Sequence, residues 1–180
     1  AIRRRKREQV LRDIARRADV APGSVFTTFE TKAELLQEIV FRRLGELFEA
    51  VRGAVGAHGG VDQRFRAFAD AAYAHEVKEL RLLADNIGAS WTWSAAAEAS
   101  NRERMLPVFP LMAGILSDAV ASEELAPDTD IPLLCDVVFS CYLRTFRKGV
   151  FDGADAAEMA GHLSRQINMI LNGSRRKAGG

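Results

Sequence analysis

The stretch LRDIARRADVAPGSVFTTF, residues 11–29, constrains the chain more than any other. Ile14, Ala15, Ala18, Val20, Val25 and Phe29 are spaced to pack two short helices together across a tight turn, and Pro22-Gly23-Ser24 opens the second. Two helices joined in this way form a helix-turn-helix, which lays its second helix in the DNA major groove. Asp19 occupies the turn, where a left-handed backbone is expected; glycine is the easiest choice there and Asp a tolerable one.

Charge follows the same division. Residues 1–43 carry 11 Lys/Arg against 6 Asp/Glu, a net +5, whereas residues 44–180 carry 14 against 18, a net −4. Basic side chains neutralise phosphates and release counterions, so a positive head on a mildly acidic body fits a nucleic-acid partner for the head. Arg3-Arg4-Arg5-Lys6-Arg7 forms a basic arm or the first turns of a helix, and Arg12, Arg16 and Arg17 lie on the polar side of the next one. A three-helix head also needs a bracing first helix, for which there is no room between Gln9 and Val10. Either the head is truncated or a segment is missing there; the second is the expectation, because without a brace Ile14, Val25 and Phe29 would be half exposed.

Beyond the head the periodicity is helical throughout. Thr31-Lys32-Ala33-Glu34 reads as a capping box, opening a helix that carries Leu35, Leu36, Ile39, Val40, Leu44, Leu47, Phe48 and Val51 as one apolar stripe. The glycine-rich run at residues 53–60 ends it. Asp62 is the expected cap of a helix through Phe65, Phe68 and Tyr73 that continues to Leu83, and a second segment starts around Trp91 and Trp93. Residues 101–120 should be kinked or divided at Pro107 and Pro110, residues 125–130 form a loop, and helices follow over residues 133–150 and from Asp155 to about Asn172. No strand pattern or internal repeat interrupts this. The fold class is therefore all-α: a helix-turn-helix head, residues 1–43, joined by a long helix to a helical domain, residues 44–180.

Enzyme classes find little support. His58, His75 and His162 are scattered, and no nucleophile elbow, phosphate loop or His-Glu-x-x-His is present. His75-Glu76 with Glu79 has metal-binding spacing on a helix, but a solvated polar face is the better reading, so no metal, cofactor or catalytic residue is expected. Cys135 and Cys141 fit buried, reduced thiols. No apolar run reaches the ~20 residues of a membrane span, which points to a cytoplasmic protein.

Asp13-Ile14-Ala15, Ala18-Asp19-Val20-Ala21, Gly23-Ser24-Val25-Phe26, Phe29, and Lys32 followed by Glu34-Leu35-Leu36 together resemble the TetR (tetracycline-repressor-like) family of transcriptional regulators. The resemblance covers residues 10–40 and implies a homodimer, each head reading one half of a palindromic operator, with release when a small molecule enters the body. It implies that Pro22, Gly23, Ser24, Phe26, Thr27 and Thr28 contact bases and phosphates. Lys32 would pair with a phosphate from its helix N-terminus, and Arg3, Arg4, Arg5 and Arg12 would add backbone contacts. Phe26 stands where the family usually has Tyr, Thr28 where Tyr or His is common, and Asp19 where glycine is usual, changes that bear on which operator is read.

Within the body the apolar stripes admit either plain core or the lining of a cavity. The resemblance favours a pocket among Phe65, Phe68, Tyr73, Trp91, Trp93, Phe109, Met112, Cys135, Phe139 and Tyr142, suited to an apolar or aromatic effector, with Asn86, His75 and Glu76 as polar contacts. Phe146, Met159, Leu163, Ile167 and Ile170 on the last two helices are the expected dimer surface, the symmetric four-helix interface that the resemblance implies; the plainer alternative is that this face completes the protomer core. An effector-independent DNA-binding or protein-interaction module is the alternative.

Overall fold

The computed structural model describes residues 32–56, 59–105 and 107–174, which are helical and contain no strand. The chain divides into two compact units, residues 1–42 and 43–180.

Helix α1 (Lys32–Val55) extends through Gly53 to end at Val55, and its stripe of Leu44, Leu47, Phe48, Val51 and Val55 is buried in the second unit. Helix α2 (Val61–Glu76) follows, and its start differs from the expectation. Asp62 is not its cap: Gly60 holds that position, and the Val61 N–H donates to Glu124 Oε2 at 2.9 Å. The carboxylate that satisfies this helix end comes from a loop 63 residues away, a partner that local reading cannot find.

A 3-10 turn (Val77–Glu79) separates α2 from α3 (Leu80–Ser90), so the helix that the sequence runs on to Leu83 is broken without a proline or glycine to mark it. The turn at residues 91–94 leads into α4 (Ala95–Met105), where Ser94 Oγ accepts from the Ala97 N–H at 3.2 Å. Helix α5 (Val108–Ala121) has Pro107 at its cap. Pro110 lies in its first turn, where no intrahelical N–H is needed, so the chain divides at one proline and not at two.

Helix α6 (Ile131–Asp152) opens on Asp130, whose Oδ1 accepts from the Leu133 N–H at 3.0 Å, with Pro132 in its first turn. It closes at Gly153, whose φ of 72° is left-handed, and the Ala154 N–H returns to the Lys148 carbonyl at 3.1 Å. Helix α7 (Ala156–Ser174) starts with a reciprocal capping box. The Glu158 N–H donates to Asp155 Oδ1 at 2.8 Å and the Asp155 N–H to Glu158 Oε2 at 2.9 Å.

Helix α2 is the centre of the body, packed most extensively against α7 and also against α5, while α6 lies on α7, α3 and α5. Phe65, Phe68, Ala69, Ala72 and Tyr73 from α2 meet Met112, Ile115 and Leu116 from α5 and Met159, Leu163, Ile167 and Leu171 from α7, all essentially without solvent contact. Each large side chain enclosed in this way contributes about 1.5–3 kcal/mol of transfer free energy. Arg64 Nη1 ties α2 to Asp118 Oδ2 of α5 at 2.7 Å.

This packing corrects one expectation. Met159, Leu163 and Ile167 have no exposed surface, and Phe146 is nearly enclosed, so these four complete the protomer core and offer nothing to a partner. The reason is that α7 turns its apolar stripe onto α2. Among the five residues named for a dimer, only Ile170 reaches the surface.

Candidate functional site

The head residues Arg3, Arg4, Arg5, Arg12, Pro22, Gly23, Ser24, Phe26, Thr27 and Thr28, the Thr31 capping box and the Gln9–Val10 junction lie outside the described residues, and Lys32 enters as the first residue of α1. The candidate site among the described residues is in the body.

Its frame is a continuous cluster of rings. Phe139, Tyr142 and Phe146 follow one another at three and four residues along α6, which sets them on one helix face. Tyr142 is the hub: its ring centroid is 5.2 Å from Tyr73, 5.0 Å from Phe146 and 6.1 Å from both Phe68 and Phe139. Phe109 of α5 extends the cluster, 5.4 Å from Phe139, and Phe65 of α2 sits 6.4 Å from Phe68. Edge-to-face and offset pairs at these spacings add to the energy of plain burial. The Tyr73 hydroxyl donates to the Tyr142 carbonyl at 2.9 Å, which locks α2 to α6 and commits that phenol to the backbone. Burial pushes both tyrosines well above the usual phenol range.

The cluster grades from core to surface. Phe65, Phe68, Tyr73 and Met112 are fully enclosed, whereas Phe109 and Phe139 are half-buried. Phe146, which the sequence assigns to a dimer face, belongs here, and its spacing from Phe139 and Tyr142 is the signal that would have placed it.

Two predicted members fall away. Trp91 is 88% exposed in the turn after α3, and Trp93 in the same turn is half-buried; neither makes an aromatic pair with this cluster. The cause is the end of α3 at Ser90, which releases both indoles from any packed helix face. Cys135 is buried and Cys141 half-buried, both free, and burial raises both thiols, so neither is activated as a nucleophile.

Polar groups collect at the end of α2. Glu76 is buried, not on a solvated face, and desolvation raises its carboxyl above the ordinary range while the Arg43 charge pulls it back. Arg43 Nη2 itself donates to the His75 carbonyl at 3.2 Å. His75 Nε2 lies 3.5 Å from Glu46 Oε2, its Nδ1 is buried without a partner, and burial lowers its pKa. Asn86 is buried on α3. Among the described residues no group of three ligating side chains could hold a metal ion.

On the outer side of α6 and α7 a groove of about 430 Å³ is lined by Arg144, Arg147, Lys148, Phe151 and His162, with the Arg147 guanidinium 4.7 Å from the Phe151 ring centre. Leu133, Phe151 and Met169 are exposed apolar side chains on these two helices. No single helix among the described residues is long and apolar enough to cross a membrane.

The sequence profile described as bacterial regulatory proteins, tetR family, matches residues 8–39, a span that includes the Gln9–Val10 junction. No curated protein matches the chain. Among solved structures, a bacterial regulatory protein in the tetR family from Rhodococcus RHA1 superposes with a TM-score of 0.70 at 17% identity, over 92% of this chain and 86% of its own. The regulator FadR of Bacillus subtilis, in complex with stearoyl-CoA, gives 0.69 at 15% identity over 87% and 86%. A ketosteroid transcriptional regulator of Mycobacterium tuberculosis gives 0.64 at 17% over 93% and 85%. At these identities the likeness is one of fold.

Proposed function

We propose that this chain, a TetR-family regulator by the sequence of its head and the fold of its body, is a cytoplasmic repressor that binds a palindromic operator as a homodimer and leaves it when a small, largely apolar effector enters the body. The observation that carries this reading is the pairing of a tetR-type head at residues 8–39 with a body whose centre is an aromatic cluster edged by buried polar groups. Such a combination of apolar walls and a few polar groups suits a ligand that is mostly hydrocarbon or ring. Neighbours of like fold that carry stearoyl-CoA or are named for ketosteroids support an apolar effector here.

In this reading Phe68, Met112, Phe109, Phe139 and Tyr142 shape the pocket, and Trp91 and Trp93 do not. The segment from Pro22 to Thr28 reads bases, and Lys32 with the arginine arm holds phosphates. The division of labour is residues 1–43 for DNA and 44–180 for effector and partner. The dimer forms on the outward sides of α6 and α7, through Leu133, Phe151, Met169 and Ile170, because the inward sides are spent in the core.

Titrating the full chain onto a labelled duplex at several salt concentrations tests the DNA half. The logarithm of affinity should fall linearly with the logarithm of salt, by a slope of about 0.9 per phosphate neutralised. A flat response would remove the proposed docking. Sedimentation of a monomer at micromolar concentration would remove the dimer.

A further inference from the structure

The groove on the outer side of α6 and α7 continues beyond its basic end. A second groove of about 380 Å³, lined by Asp136, Val137, Ser140 and Cys141, shares Arg144 and Gln166 with the first, so the two form one furrow along α6. Leu133, Val137, Ser140, Arg144, Arg147 and Phe151 follow one another along this helix at steps of four and three residues, the spacing of a seam between two helices. Both ends of the seam are apolar and open to solvent: Leu133 is 59% exposed and Phe151 68%.

Charge along the seam is divided by sign. Asp136 is exposed toward one end, and Arg144 and Arg147 are exposed toward the other. Among the described residues, the Asp136 and Arg144 side chains have no ion pair or hydrogen bond and Arg147 has only the Phe151 ring, whereas Lys148 is joined to Asp152 at 3.4 Å. The helix dipole does not account for the division, because α6 has no acidic residue in its first turn and no basic residue in its last. Asp136 and Arg147 stand about 16 Å apart along the axis, so within one protomer they cannot meet.

A second copy can bring them together in only one direction. An isologous two-fold contact that set α6 parallel to its own copy would put Asp136 on Asp136 and Arg147 on Arg147, and like charges face to face are costly. With the helices antiparallel and the axis beside residues 141 and 142, Leu133 of one copy lies opposite Phe151 of the other and Asp136 lies opposite Arg147. One register therefore joins the exposed apolar ends and pairs the opposite charges.

We infer that the furrow is filled by α6 of a second copy running antiparallel, with Asp136 of each copy paired to Arg147 of the partner subunit, and that this pair sets the register and selects the partner. The inference rests on the reading of the outward sides of α6 and α7 as the dimer face. It adds the direction of packing and the two residues that decide it.

The test is sedimentation of the full chain with Asp136→Lys, with Arg147→Glu, and with the two variants mixed. Both sites are exposed and both replacements are good helix formers, so circular dichroism should show each variant folded. Each variant alone places two like-charged pairs in its dimer and should associate at least about tenfold more weakly than the parent. In an equimolar mixture every pair is again opposite in sign, so mixed dimers should form with close to parental affinity, seen as the hybrid mass in native mass spectrometry. Single variants that associate as the parent does, or a mixture no tighter than either variant alone, would overturn the pairing. Saturable calorimetric binding of pyrophosphate to the parent dimer at the Arg144 and Arg147 end would also overturn it, because the furrow would then be open to a small anion. A monomeric parent would remove the dimer itself, whereas a dimeric parent with indifferent variants would remove only the register proposed here.

Discussion

Leu163→Ala separates the two roles that the apolar face of α7 can play. Leu163 has no exposed surface and sits among the side chains that α7 buries against α2. Truncating a leucine in such a place costs the transfer free energy of the lost carbons plus that of the cavity left behind, about 3–5 kcal/mol. The packing is helix on helix, with little freedom to close the void, so the upper half of that range is expected. Against a total stability of about 5–15 kcal/mol, this is a large fraction. At roughly 2–4 °C per kcal/mol, the melting temperature should fall by about 8–20 °C. Denaturant unfolding followed by circular dichroism measures the loss, and sedimentation of the same variant measures association. The expected result is a large drop in the unfolding midpoint with the monomer–dimer equilibrium unchanged. A loss below about 1 kcal/mol together with dissociation to monomers would show that Leu163 faces a partner and would refute the packing argument.

Three further outcomes follow from the same packing and hydrogen bonding. Gly149→Ala should destabilise by about 1–3 kcal/mol, measured by thermal melting, because a Cβ there would lie 2.6 Å from Leu80 Cδ2 and 2.9 Å from Met159 Sδ, where α6 meets α3 and α7. Asp155→Ala should cost about 1 kcal/mol and fray the start of α7, seen as faster amide exchange there, because one half of the capping box goes with it. Burial holds His75 below its ordinary pKa. Its contribution to stability is therefore complete above about pH 6.5 and is lost as pH falls through that value toward the folded-state one. His75→Gln should flatten the stability profile in that acidic window, and a profile unchanged from the parent would contradict the shift.

Legibility in the sequence depended on whether the relevant partner was local. The Asp155 start of α7, the Pro132 opening of α6 and the stripe from Leu44 to Val51 are visible because their physics spans one or two helical turns. The Glu124 cap of α2 and the break at residues 77–79 are not, since the first depends on a distant loop and the second lacks any punctuating residue. The same limit decides the site. Phe65, Phe68, Tyr73, Phe109, Met112, Phe139 and Tyr142 do gather in the body, because apolar stripes of neighbouring helices must face one another. Periodicity says that Leu163 and Ile167 are inward but not inward toward what, so a core face and a dimer face read alike until the chain is folded. Trp91 shows the converse: a large apolar side chain just past a helix end has no face to bury on, and size alone is a poor guide.

The central proposal is that two copies of the head, whose residues 8–39 match the tetR-type profile, read one symmetric site. Selection of bound duplexes from a random-sequence library by the full chain tests it most directly. The account predicts enrichment of an inverted repeat whose half-sites are about one helical turn apart, 10–10.5 base pairs, or a multiple of that. No enrichment, or enrichment of a single asymmetric element bound by one copy, would contradict it.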